Sequence, residues 1–270
     1  MLKLWPLSLL LFFAGCYEPV KGCLDLTATN FDANADEDCC CKYPELQLSI
    51  SQSYGGQAYK EGDIYKDVDG GLFKLNSVTF YLSGFEVLQT GRSYSVADTI
   101  GLWTQPAGTS APVRRLFTDD FLLVRRTSVT NALGVFRHEG TFDGLRMRLG
   151  LADSVLSVLP ARAPSGHPLA TQSDSIWRSP QGFVFMQIVV HRDTFSTTAP
   201  DTLSFFSKDL PDCIIEGKGL SVSKELGKNV IFTLTADYAQ LLKNISWTTG
   251  DKTAWKRQIL SNIKGSFSVN

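Results

Sequence analysis

The chain has 270 residues, 43% of them hydrophobic and 11% aromatic; it is long enough for one large domain, or a domain plus a small module, and too apolar for a disordered chain. With 26 basic against 27 acidic side chains the net charge is −1, and an isoelectric point near 6.3 gives no electrostatic basis for binding nucleic acid. No stretch beyond the first residues is long and apolar enough to cross a bilayer as a helix.

Residues 1–15 read as a lipoprotein signal peptide. Lys3 supplies a positive start, and Leu4 to Ala14 is an apolar run too short for a stable membrane span. The small pair Ala14-Gly15 before Cys16 resembles the bacterial lipobox, in which the cysteine is lipidated and becomes the first residue of the mature protein. Cleavage at another nearby position is the alternative. Both readings take the chain out of the cytoplasm, and lipid on Cys16 would attach it to a membrane, most naturally as an outer-membrane lipoprotein.

Residues 16–44 form a Cys/Asp-rich segment. Cys23, Cys39, Cys40 and Cys41 cluster there, and Cys213 stands apart. In an oxidising compartment the expectation is a disulfide from Cys23 to one of the three adjacent cysteines, with at least one cysteine unpaired or bridged elsewhere, Cys213 to the cluster included. Zinc is disfavoured: the cluster has no histidine, and three consecutive cysteines do not easily converge on one ion. Between the cysteines, oxygen side chains recur at Asp32, Asn34, Asp36 and Asp38, the spacing of the first half of a calcium loop. Glu37 stands where such a loop needs glycine and Tyr43 where it needs its last glutamate, so an acidic surface turn is the competing reading. The run Cys23-x-Asp25-x-x-Ala28-x-Asn30-Phe31-Asp32, closing with Cys41-Lys42-Tyr43, is similar to a short cysteine-bounded module frequent in exported Bacteroidetes proteins.

Residues 45–270 read as mainly β: a Greek-key β-sandwich with two short C-terminal helices. Leu46, Leu48 and Ile50 alternate with polar residues. Phe73 to Leu88 is the longest strand expected, with a bulge or bend at Ser83-Gly84. Pro106 to Pro112 is a loop. A strand pair follows between Thr127 and Leu151, its arginines Arg146 and Arg148 facing outward. Phe183 to Val190, Asp201 to Ser207 and Val230 to Thr235 complete the strands. Asp237 can cap a helix over Tyr238 to Lys243, and Asp251 or Thr253 one over Ala254 to Lys264, with a last strand near Ser266 to Val269.

Several of these pieces together resemble the MbnP family of exported copper-binding β proteins, over about residues 45–270. Phe80-Tyr81-Leu82-Ser83-Gly84 matches its Y-x-[LIV]-S-[NG] strand. Gly140 to Gly150 matches its G-x-[YF]-x-x-[LI]-x-[FM]-x-[LI]-G element. His167-Pro168-Leu169-Ala170, Trp177 and Gly182-Phe183-Val184-Phe185 match its H-P-L-A…W…G-[YF]-x-F block. The resemblance implies a copper site in which His167 and Trp177 take part. It also implies a dihaem cytochrome c peroxidase-like partner, the kind of enzyme that oxidises tryptophan in characterised relatives. The chain departs from the family where M-Y-W-x-W becomes Ser175-Ile176-Trp177-Arg178-Ser179 and where F-H-x-G becomes Phe205-Phe206-Ser207-Lys208. His191, at the end of a strand, is the further imidazole that could complete a metal site, with Arg192 beside it.

No nucleophile elbow, glycine-rich phosphate loop or H-E-x-x-H occurs, so no enzymatic activity is expected. The runner-up reading is a carbohydrate- or protein-binding sandwich presenting Trp103, Trp177 and Trp247 as platforms.

Overall fold

The computed structural model describes residues 17–125, 130–170, 176–248 and 251–270. The signal segment, the lipidation residue Cys16 and Ser175 lie outside the described residues.

Everything else is arranged about the strand Leu72–Gln89. Its buried side chains change parity twice, from Phe73 and Leu75 to Val78, Phe80 and Leu82, then to Phe85 and Val87. A strand alternates faces strictly, so each change requires one extra residue. The pairing supplies both. Val189 faces Ser77 while Val190 faces Leu75, which leaves Asn76 over. Arg146 faces Glu86 while Arg148 faces Ser83, which places the second bulge at the expected Ser83-Gly84. Gly84 takes a φ of 64°, a conformation open to glycine at little cost.

These bulges let one strand serve two neighbours. Met186–His191 pairs along its first half, and Gly140–Leu149 along its second. Asp201–Phe205 and Ile214–Lys224 extend the sheet on the two sides. The second sheet runs Thr130–Val135, Glu45–Tyr54, Val230–Asp237, Phe267–Val269. Its centre is a parallel pair, from Leu46 opposite Val230 to Ser53 opposite Asp237. Leu46, Leu48 and Ile50 on one strand and Val230, Phe232, Leu234 and Ala236 on the other are buried, and one hydrophobic cluster takes in the apolar faces of both sheets. The architecture is mainly β, with no closed barrel among the described residues.

The helices are Tyr238–Leu241 and Lys252–Ser266, each started by an aspartate: Asp237 accepts from the Ala239 N–H, and Asp251 from those of Thr253 and Ala254. Trp255, Ile259 and Ile263 are the buried stripe of the longer helix. Trp247 corrects an expectation. It is no platform but a core residue, 3% exposed, tilted against Phe73 at 5.4 Å and Trp255 at 4.8 Å between ring centroids.

The family-like strand motifs have a shared physical reason. Ser83 Oγ donates to the Gly150 carbonyl at 2.8 Å, and Gly150 N donates to the Tyr81 carbonyl at 2.8 Å. A Cβ on Gly150 would lie 2.3 Å from Phe185 Cδ2, and the residue's φ is 107°. Glycine is the residue this junction can take, because it has no Cβ.

The N-terminal module is stapled as expected, by a disulfide between Cys23 and Cys41, whose Cα atoms are 4.8 Å apart; Cys39 and Cys40 are bonded to each other. Arg137 ties the module to the β domain, donating to Asp25 Oδ2 at 2.7 Å and lying 4.0 Å over the Tyr43 ring. Cys213 makes no bridge and is half-buried on the β domain, where burial raises its thiol pKa.

Candidate functional site

His167 sits in a tight loop. Its own N–H donates to Pro164 O, and its carbonyl accepts from Ala170 N. Pro168 fixes the next turn, and Tyr81 on the long strand donates its hydroxyl proton to Pro168 O at 2.9 Å. The side chain of His167 is 7% exposed, and both its ring nitrogens have partners. Leu169 N–H donates to Nδ1 at 3.1 Å, so Nδ1 carries no proton. Nε2 lies 3.1 Å from Asp119 Oδ1 and, holding the ring proton, donates to it. The surrounding backbone thereby sets the tautomer. Phe121 meets the ring edge-on at 5.8 Å between centroids.

Asp119 comes from the segment after the hairpin strand Val113–Thr118, 48 residues before His167 in the chain. Its backbone N–H donates to Asp98 O. The neighbouring Asp120 points into the core and accepts from Phe85 N at 3.1 Å. Burial pushes the Asp120 pKa up to about 6 against the opposing pull of backbone N–H groups, and the charge on Asp119 adds to the rise. The cleft holding His167 and Asp119 has a volume of about 550 Å³ and also presents Asp98 and Glu45.

Trp177 is half-buried on a two-residue strand, paired with Phe183 across a turn whose Ser179–Pro180 peptide is cis. It lines a different cleft, of about 630 Å³, with Arg178, Ser179, Gln181, Ser204 and Phe206. Among the described residues, His167 and Trp177 line separate clefts. Tyr81 links them instead, its hydroxyl on the His167 loop and its ring edge-on to Phe183 at 6.1 Å. His191 lies elsewhere, opposite Lys74, 8% exposed and with a buried Nδ1 that has no hydrogen-bond partner. Met186 is fully buried packing.

In the N-terminal loop, Asp32 accepts from Asn34 N, Asp36 from Val20 N and the Tyr17 hydroxyl, and Asp38 from Leu24 N. Each carboxylate serves its own stretch of backbone. Among the described residues the one gathering of three possible ligand side chains is Cys23, Asp38 and Cys41, and there the two sulfurs are bonded to each other.

Sequence reasoning missed Asp119. Nothing in its neighbourhood sets it apart from Asp98 or Asp120, and only the fold brings it to the imidazole.

The MbnP family model matches residues 43–256 of the chain. Among solved structures, MbnP from Methylosinus trichosporium is similar, with 14% sequence identity, a TM-score of 0.41, and coverage of 74% of this chain and 78% of that one. No curated protein matches.

Proposed function

Because the chain belongs to the MbnP family, we propose that it is an exported, lipid-anchored protein of the cell envelope whose β domain takes up copper weakly at the His167–Asp119 pair, without catalysing a reaction. The observation that carries this is the 3.1 Å between His167 Nε2 and Asp119 Oδ1. Two neighbouring ligands of one small cation, each bound at about 2 Å, lie about 3 Å apart. The residues fit a divalent, N/O-preferring copper ion and fit Cu(I) poorly, since thiolate and thioether donors are absent from the cleft lining. One imidazole and one carboxylate, both already hydrogen-bonded, make a low-affinity site. Asp119 would give a carboxylate oxygen and His167 its Nε2, with the ring proton moving to Nδ1 and the Leu169 N–H bond to that nitrogen given up, a cost that keeps the affinity low. Bound copper would supply a Lewis-acidic or one-electron centre; the protein's part is to hold and orient the imidazole.

The same hydrogen bonds favour the second reading, a metal-free carbohydrate- or protein-binding lipoprotein in which Asp119 simply locks the loop. Metal analysis of the protein purified from envelopes separates the two. Copper bound to the wild type and lost in His167→Ala supports the first, and equal absence from both supports the second. Fractionation of Cys16→Ser tests the anchor, which is sunk if the variant still partitions with membrane.

A further inference from the structure

The hairpin formed by Thr99–Thr104 and Val113–Thr118 belongs to neither large sheet. Trp103 faces Arg114 across it, and Gly101 faces Leu116. Directly paired residues share a face, so Trp103, Arg114 and Leu116 stand on the same side. Arg114 lies across Gly101, where any Cβ would meet its Nε at 2.6 Å. That face is left to solvent, with Leu116 72% and Trp103 39% exposed. Arg162, from a neighbouring turn, lies 5.6 Å over the Trp103 ring.

Among the described residues, the arginines on this face are free of ion pairs, unlike several others on the domain. Arg137, Arg146, Arg148 and Arg192 each pair with a carboxylate. Arg114 and Arg162 are exposed and have no carboxylate within 4.0 Å among the described residues, as is also true of Arg92, Arg125, Arg178 and Arg257, while Arg115 pairs with Leu102 and stands on the other face. The segment Thr99 to Thr118 contains no acidic residue, and its tip Gln105 to Pro112 carries no charge.

We infer that this hairpin face, with Arg162, docks on an anionic lipid surface. Arg114 and Arg162 complement lipid phosphates, Trp103 suits the polar–apolar boundary, and exposed Leu116 suits acyl chains rather than sugar rings. The uncharged tip can enter the headgroup layer without a charge to desolvate. The inference does not depend on copper, and it would place the domain against the membrane to which Cys16 is proposed to anchor it.

The test uses the full chain carrying Cys16→Ser, so that lipid cannot contribute, mixed with vesicles of phosphatidylcholine plus phosphatidylglycerol or of phosphatidylcholine alone. Binding to the anionic vesicles only is expected. Arg114→Glu, which removes one positive charge and adds one negative, should lower it by about 25-fold, and Arg162→Gln by about fivefold. Thermal midpoints should stay at the parent value, because these side chains are exposed. The inference is overturned if the parent ignores anionic vesicles or binds neutral ones equally. It is also overturned if the arginine variants bind like the parent, a pattern that would leave the face to an acidic protein partner.

Discussion

Tyr81 gives its hydroxyl proton to the carbonyl of Pro168, so the strand at the centre of the sheet holds the loop that presents His167. The contact spans 87 residues of chain and is made by a phenol whose ring is fully buried. Tyr81→Phe keeps the ring and deletes only the donor. A loss of about 1 kcal/mol in unfolding free energy is expected. Faster amide exchange should be confined to the peptide around Leu169, whose N–H holds Nδ1. Exchange at Leu169 that matches the wild type would mean that Tyr81 does not hold the loop.

Gly150 makes the junction between the two family-like strand motifs. Gly150→Ala would press a methyl against Phe185 at a φ of 107°. Overpacking and backbone strain together should cost about 3 kcal/mol. Chemical denaturation measures this, and an unchanged midpoint would contradict the packing described.

Lys224 is 3% exposed, and its Nζ is buried without a hydrogen-bond partner. Burial lowers its pKa, against a smaller opposing pull from Glu139. The folded pKa lies below the unfolded value of 10.5, so the native state gives up this proton first. Below the folded pKa both states are protonated and the native state bears the full cost of burying the charge. That cost falls as pH rises from the folded pKa toward 10.5, and the linked contribution to stability rises with it. Lys224→Met should therefore stabilise the protein at pH 7, by about 1–3 kcal/mol, with a smaller gain at pH 10. A variant that is destabilised at pH 7, or whose gain does not shrink, would contradict this.

Where local pattern decides structure, the sequence was a good guide. The long strand and its Ser83-Gly84 bulge, the helix over residues 254–264 and its Asp251 cap were readable because alternation, helical spacing and capping are short-range signals. The strand Ile214–Lys224 was not. Gly217 and Gly219 interrupt it and much of it is exposed, so it lacks an apolar alternation. Gly217 is there for a tertiary reason, since a Cβ would come within 2.5 Å of Val269 Cβ. The second bulge, at Asn76, is likewise visible only in the pairing. The site was half legible. His167 and its proline stood out by motif, but its partner Asp119 and the separation of Trp177 into another cleft are set by how distant loops meet.

The central claim is that His167 Nε2 and Asp119 together hold copper. Calorimetric titration of Cu(II) into the metal-free full chain tests it most directly, comparing wild type, His167→Ala and Asp119→Asn at pH 7. The account predicts one weak site in the wild type, no measurable site in His167→Ala, and about tenfold weaker binding in Asp119→Asn. Identical isotherms for all three proteins would contradict it and leave the His167–Asp119 hydrogen bond as a lock on the loop.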